Sequence, residues 1–318
     1  MTERVLITGG AGFVGLHLAR RLQRDGAAVT LLDDLSRGAD DPALRRVLDD
    51  GATLARHDLT TPIPDALLPD PYDTVVHLAA VVGVAQALTR PAAVLRTNLL
   101  GTVHLADWCA RRPPSVLLFS STSEVGDGAA RTGLAGFPVP EDVPWVLAEP
   151  GSPRTAYALG KMAGEHLLGH LGLPSRVRIA RYHNVYGPRM GNRHVIPQLI
   201  GRIQGGEDPL GLPGADQTRS FCHVDDAVDA TVAVLRHPDP GAVTVNIGND
   251  REEIRIADLA GRLCALAGRS PRIDPRPAPQ GSPDRRAPDL RRLRELTGYE
   301  PAVGLADGLR QTYAWYTR

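Results

Sequence analysis

The chain has 318 residues with 36 basic and 36 acidic side chains, so its formal net charge is zero. That balance argues against nucleic acid or an anionic membrane as a partner, and no apolar run approaches the ~18 residues of a membrane span. Cys109, Cys222 and Cys264 form no metal-ligand spacing and leave an odd thiol, and the first strand starts at Arg4 without room for a leader; a metal-free cytoplasmic protein is expected.

Apolar strand-like runs alternate with helical stretches from the start. The predicted order is a strand over 5–7, a helix over 13–25, a strand over 29–32 and a third strand before His57 and Asp58. Strands over 74–78 and 116–120 flank a long helix over 92–111, and a helix over 155–171 leads into a strand over 177–180. After Tyr182 the pattern loosens into loops rich in Gly and Pro. Helices over 225–235 and 256–267 and a strand over 243–247 follow, while 270–288 reads as irregular. Such alternation predicts an α/β fold: a Rossmann-type doubly wound parallel sheet with a smaller C-terminal α/β substrate-binding lobe. The expected division is a dinucleotide-binding domain over 1–181, with 222–248 returning to it, and a second lobe from 182–221 and 249–318.

Thr8-Gly9-Gly10-Ala11-Gly12-Phe13-Val14-Gly15 lies between the first strand and the first helix. Gly9, Gly12 and Gly15 allow a tight turn and close approach to a pyrophosphate, and the helix start at Phe13 and Val14 offers amide donors to it. Asp33 ends the second strand, 24 residues after Gly9. A carboxylate there binds ribose hydroxyls and repels a 2′-phosphate, which favours NAD over NADP. Asp34 can share that role, Arg37 weakens the preference, and Asp58, followed by Leu59, is placed to accept from the adenine amino group.

Of the basic residues 35 are arginine; the single lysine is Lys161, four residues after Tyr157. On a helix that spacing puts both on one face. An ammonium about 4 Å from a phenol, at an effective dielectric near 20, is worth on the order of 4 kcal/mol, enough to bring tyrosine toward use as a base. Arginine, with its bulkier and more diffuse charge, is a poor substitute. A composition that has replaced lysine by arginine elsewhere has kept it here.

Together these features resemble the nucleotide-sugar branch of the extended short-chain dehydrogenase/reductase family. The resemblance rests on the glycine loop, His77-Leu78-Ala79-Ala80, Thr97-Asn98, Ser121-Thr122-Ser123-Glu124 and the Tyr157/Lys161 pair. It extends through Asn184-Val185-Tyr186-Gly187-Pro188-Arg189 and Gln217-Thr218-Arg219-Ser220-Phe221. It implies NAD in the first lobe, contacted also by Leu78, Ala79, Ala80 and Asn98, and a UDP-sugar in the second. It further implies Tyr157 as the base at the sugar 4-hydroxyl, Lys161 on the nicotinamide ribose, Thr122 on the 4-oxygen, and a homodimer formed through the helices near 92–111 and 155–171. Asn184, His194, Val195, Arg219 and Arg285 (one of an arginine pair with Arg286) become candidate substrate residues, the arginines for the diphosphate.

Members of this branch share a 4-keto intermediate and diverge afterwards. Ser123-Glu124 and the run Arg285-Arg286-Ala287-Pro288-Asp289 are most similar to UDP-glucuronate decarboxylases. A 4-epimerase is the alternative, with His194-Val195-Ile196-Pro197 nearer to that group, followed by a 4,6-dehydratase. A non-catalytic NAD(H) sensor is disfavoured because Tyr157 and Lys161 are both present. For a uronate, Thr122 and Ser123 can donate to the carboxylate, and Glu124 can handle a proton after CO2 leaves.

Overall fold

A computed structural model describes residues 2–37 and 40–318. The first half of the chain runs β1 (Arg4–Thr8), α1 (Phe13–Arg24), β2 (Ala28–Asp33), α2 (Pro42–Asp49), β3 (Thr53–Arg56), β4 (Thr74–His77), α3 (Val84–Thr89), α4 (Pro91–Arg111) and β5 (Val116–Thr122). Then come α5 (Glu124–Arg131), α6 (Thr155–Gly169), β6 (Arg176–Tyr182), β7 (Val185–Tyr186), α7 (Val195–Gln204), β8 (Leu210–Pro213), β9 (Thr218–Ser220), β10 (Cys222–His223) and α8 (Val224–Arg236). The chain ends with β11 (Val243–Ile247), β12 (Glu253–Arg255), α9 (Ile256–Leu266), β13 (Ile273–Arg276), β14 (Arg285–Arg286), α10 (Arg291–Thr297) and α11 (Leu305–Tyr316).

Contacts divide the chain into two units. Unit 1 comprises Met1–Val125, Pro150–Arg181 and Thr231–Val245; unit 2 comprises Gly126–Glu149, Tyr182–Ala230 and Asn246–Arg318. The sequence reading ran the first lobe unbroken to 181, whereas the excursion 126–149 groups with unit 2. Backbone pairing explains this: Val139 N donates to Ala287 O at 2.9 Å and Asp289 N donates to Val139 O at 3.0 Å. Glu141 accepts from Asn246 N at 2.7 Å, and the Asn246 amide donates back to Val139 O at 3.0 Å. These partners lie more than a hundred residues apart, beyond the reach of local pattern. The first part of α8 belongs to unit 2 as well, so the return to unit 1 begins at Thr231 rather than at 222.

Unit 1 is organised by a seven-stranded sheet in the order β11-β6-β5-β4-β1-β2-β3. β1 runs parallel to both β2 and β4, β2 to β3 and β4 to β5. β4 and β5 are buried at every residue, as expected of parallel strands covered on both faces. Strand order reverses between β1 and β4, which makes the carboxyl ends of these two strands the ligand-binding switch point of the sheet. α2 is fixed by local chemistry: Asp41 accepts from the amides of Ala43 and Leu44, and Pro42 opens the helix, a position where its missing N–H costs nothing.

α4 and α6 pack against each other and α6 lies along β5. The small residues of α6 allow this close approach. A Cβ on Gly164 would sit 2.4 Å from the Phe119 ring of β5, and one on Gly160 would touch Asn98 and Leu95 of α4. Beneath them a core of Leu6, Leu105, Trp108, Leu117, Phe119 and Leu168 is buried. Arg178, fully buried in β6, serves the backbone instead of a carboxylate. Its guanidinium donates to His237 O and Gly241 O, both at 2.8 Å, and to Asp239 O at 2.5 Å. It thereby satisfies carbonyls that follow the end of α8.

Unit 2 contains a three-stranded sheet in the order β12-β9-β14 and the pairs β13-β8 and β10-β7. Two of these strands lie inside 270–288, the stretch read as irregular. Their hydrogen bonds come from β8 and β9, distant in sequence, and so override a Pro- and Arg-rich composition. α7 and α11 pack together and against α9; neither α7 nor α11 was part of the sequence expectation.

Candidate active site

The glycine loop follows β1 at the switch point. Gly9 has φ +68°, and a Cβ there would meet Ala79 N at 2.6 Å, so the loop can lie against the chain leaving β4 only because Gly9 has no side chain. A Cβ on Gly15 would lie 2.4 Å from Gly9 O, so the first turn of α1 also requires glycine to lie against the loop. Gly12 is the N-cap of α1, no side chain caps that helix, and no acidic residue occupies its first turn. A helix start left open in this way suits a phosphate.

Asp33 is buried at the end of β2. One carboxylate oxygen accepts from Ala11 N at 3.0 Å and the other from Leu35 N at 2.9 Å. The same side chain therefore braces the glycine loop at the carboxyl end of β2. The carboxylate of Asp34 turns to the amide and hydroxyl of Ser36, and Asp58, exposed, caps Thr60 N at 2.8 Å. Asn98 makes a closed pair with the backbone of Val81: its oxygen accepts from Val81 N at 2.7 Å and its amide donates to Val81 O at 3.1 Å. It shapes the loop carrying Leu78, Ala79 and Ala80. Asp33→Asn should weaken NAD binding by about tenfold and narrow the discrimination against NADP, measured by calorimetric titration of both dinucleotides; unchanged selectivity would exclude Asp33 from ribose recognition.

The second cluster lies where β4, β5 and α6 meet. The Lys161 side chain is only 3% exposed. Its Nζ donates to Ser120 O at 2.6 Å, lies 4.6 Å from the Phe119 ring centre and 5.9 Å from that of Tyr157. Burial pulls the Lys161 pKa down to about 7, opposed by the charge of Glu165. Thr122 ends β5 and its hydroxyl accepts from Glu124 N at 3.3 Å. Thr122 and Ser123 are buried, and Glu124, which opens α5, is partly buried. Tyr157, Lys161, Thr122, Ser123 and Glu124 all belong to unit 1.

His77, at the end of β4, is fully enclosed. Its Nδ1 pairs with the Thr8 hydroxyl at 2.7 Å and its Nε2 with the Thr102 hydroxyl at 3.3 Å. Burial, helped by the Lys161 charge, lowers its pKa from 6.5 to about 3. A base with a lowered folded pKa is protonated first in the unfolded chain, so stability falls as pH drops below ~6.5. His77 should cost about 2 kcal/mol on going from pH 7 to pH 5. Urea unfolding at both values checks this, and a His77→Gln variant should show a correspondingly flatter dependence.

The candidate substrate residues lie in unit 2 and are less simply disposed. Asn184 has φ +40° and donates to Ser220 O at 3.2 Å. His194 is the N-cap residue of α7 and Val195 its first residue. Arg219 donates to the backbone at Thr218 O (2.7 Å) and Pro283 O (2.8 Å) and to Gln217 and Ser282 side chains. Arg285 forms a two-pronged pair with Glu253 at 2.8 and 2.9 Å and covers the Phe137 ring. Both guanidinium groups, expected at a diphosphate, here also organise the segment around 282–286. Arg286, the neighbour, pairs with Asp127.

Sequence reasoning missed Glu165 and Arg181, which support this site, and gave Ser121 no role beyond its place in the motif. Ser121 donates to Glu165, and Arg181 grips the same carboxylate with Nε at 2.9 Å and a terminal nitrogen at 2.7 Å. The available signal was Glu165 four residues beyond Lys161, extending the helical stripe. Among the described residues there is no group of three or more metal-ligating side chains, and no helix is long and apolar enough to cross a membrane.

The model for the NAD dependent epimerase/dehydratase family matches residues 5–248. The chain belongs to that family. Its sequence is 32% identical to UDP-glucuronic acid decarboxylase 1 of Xenopus tropicalis over 99% of this chain and 72% of that one. It is 33% identical to UDP-N-acetyl-alpha-D-glucosaminuronate decarboxylase of Bacillus cytotoxicus over 99% of this chain and 98% of that one. Among solved structures, the UDP-glucuronic acid 4-epimerase from Bacillus cereus, in complex with UDP-glucuronic acid and NAD, superposes with a TM-score of 0.85 at 28% identity, covering 99% of both chains. The family's NAD suits the residues found here: glycine where a Cβ cannot fit, an uncapped helix start, and a buried carboxylate at the end of β2.

Proposed function

We propose that this protein is a UDP-uronate decarboxylase using NAD, acting on UDP-glucuronic acid to give UDP-xylose or the UDP-4-keto-pentose. The observation that carries this reading is similarity over 99% of this chain to two decarboxylases of UDP-uronates, together with Ser123-Glu124 directly after the strand that holds Thr122. When bound, NAD supplies the acceptor for the C4 hydride. Tyr157 takes the 4-hydroxyl proton, Lys161 favours the phenolate and holds the nicotinamide ribose, and Thr122 hydrogen-bonds the 4-oxygen. The resulting ketone is β to the carboxylate, so the C5–C6 bond can break and release CO2 while its electron pair stays on the sugar, delocalised into the carbonyl; UDP-xylose would then require return of the hydride to C4. Thr122 and Ser123 orient the carboxylate and Glu124 delivers or relays the proton that follows. Gly9, Gly12, Phe13, Val14 and Gly15 take the pyrophosphate, Asp33 the ribose, and Asp58 with Leu59 the adenine. Asn184, His194 and Val195 take the nucleotide-sugar, with Arg219 and Arg285 shaping the segment beside it.

A 4-epimerase of the same uronate is the second reading, favoured by the close superposition on the Bacillus cereus epimerase. Incubation with NAD and UDP-glucuronic acid, followed by mass spectrometry, separates the two. Loss of CO2 with a UDP-pentose product supports decarboxylation, whereas retained mass with an inverted C4 supports epimerisation. No change, alongside turnover of UDP-glucose or UDP-galactose, rejects a uronate substrate. Glu124→Gln should lower CO2 release by about tenfold or more while leaving C4 oxidation measurable; full turnover would remove Glu124 from the chemistry.

We also assign a cytoplasmic homodimer, paired through α4 and α6. The exposed Val103 on α4 and Leu159 on α6, each 39% accessible, support that surface.

A further inference from the structure

Glu165 and Arg181 are 3% and 5% exposed, and their two-pronged ion pair lies within unit 1. A buried pair of this kind adds little stability over apolar residues of the same size, because desolvation offsets the attraction. Its placement is more informative than its energy. Lys161 donates to the carbonyl of Ser120, and the next residue, Ser121, donates its hydroxyl to Glu165. Two adjacent residues of β5 are thus tied to two residues of α6 one turn apart. Arg181 on β6 holds the same carboxylate from the other side. Tyr157 stands one turn before Lys161 on that helix, so the ties set the rotation of α6 for all three.

We propose that Glu165, held by Ser121 and Arg181, is the positioning residue that fixes α6 against β5 and so aligns Lys161 with Tyr157. The proposal deepens the reading of Tyr157 and Lys161 as the redox pair and rests on it. The groups around Lys161 leave Glu165 as the source of negative charge. β4 presents His77, whose lowered pKa keeps it neutral; β5 presents the Phe119 ring and the Ser120 carbonyl; α6 adds Tyr157 and Glu165; β6 adds Arg181, bound to Glu165. Burial works against the ammonium and Glu165 works for it.

The single lysine makes a direct test possible. With ε-13C-lysine labelling the chain yields one side-chain resonance, whose pH titration reads Lys161 alone. In Glu165→Gln the midpoint should fall by about one pH unit. With UDP-glucuronic acid and UDP-glucose as substrates, kcat should fall about tenfold with KM within about twofold. The alkaline limb of the kcat profile should move to lower pH with the lysine midpoint. If Glu165→Gln does not fold, adding Arg181→Met restores charge balance and should show the same lowered midpoint. Ser121→Ala, which keeps both charges, should lower kcat with little change in the midpoint. An unchanged midpoint and kcat in a folded Glu165 variant would overturn the proposal, since a purely structural role moves only the melting temperature. Tyr157→Phe and Lys161→Met serve as controls. If they retain turnover, the redox-pair reading falls and the proposal with it. If they lose turnover while the Glu165 variants behave as wild type, only the positioning role is rejected.

Discussion

Replacing Lys161 with arginine should lower kcat by about a thousandfold and weaken NAD binding, although the charge is nominally kept. The space is the first reason. Lys161 is buried between Ser120 O at 2.6 Å and the Phe119 ring at 4.6 Å. A planar guanidinium there must push α6 away from β5, at a cost of about 1–3 kcal/mol of packing. That displacement carries Tyr157 with it. The second reason is electronic: a compact ammonium concentrates its charge near the phenol, whereas a guanidinium spreads it over three nitrogens. Steady-state kinetics with UDP-glucuronic acid, alongside a melting curve to confirm folding, checks the result. Turnover near wild type would mean that the one surviving lysine of the chain is there by accident.

Gly9→Ala should cost about 3 kcal/mol of stability and raise the Kd for NAD at least a hundredfold. Two penalties coincide. The φ of +68° is unfavourable for any residue with a Cβ, and that Cβ would lie 2.6 Å from Ala79 N and 2.8 Å from Ala79 Cα. Both opposing atoms are backbone at the exit of β4, so no side chain can swing aside. Relief requires β1 and β4 to separate at the switch point, which moves the loop from the pyrophosphate. Urea unfolding gives the first quantity and calorimetric titration with NAD the second. A variant binding NAD as the wild type does would disprove the role of this loop.

What could be read locally was read well. The strands of unit 1 are short apolar runs bounded by turn residues, and their helices carry apolar stripes. The ends of the elements that were expected fell within a few residues, for example 91–111 for α4 and 243–247 for β11, while α2 and α3 had no counterpart in the expectation. α5 was missed because Glu124-Val125-Gly126-Asp127-Gly128 contains two glycines and reads as a loop. The glycine at 128 is required by contact: a Cβ there would overlap Val146 O. Likewise β13 and β14 exist through pairing with β8 and β9 and not through their own composition.

The same division runs through the site. The alternation of strands and helices pointed to a parallel α/β fold and the glycine spacing with Asp33 to NAD, because each depends on backbone geometry or charge within a few residues, while the class of redox step came from the family resemblance that Tyr157 and Lys161 help to carry. Tertiary structure alone decided which arginines are engaged and where the supporting charges lie. Arg219 and Arg285 look like phosphate ligands in sequence, and the fold adds contacts of Arg219 with backbone carbonyls and of Arg285 with Glu253. Glu165 looks like one more helical carboxylate, yet Ser121 and Arg181 converge on it from two neighbouring strands. A charged side chain's role is set by what surrounds it after folding. Those surroundings come from residues tens to hundreds of positions away, which no local pattern can specify.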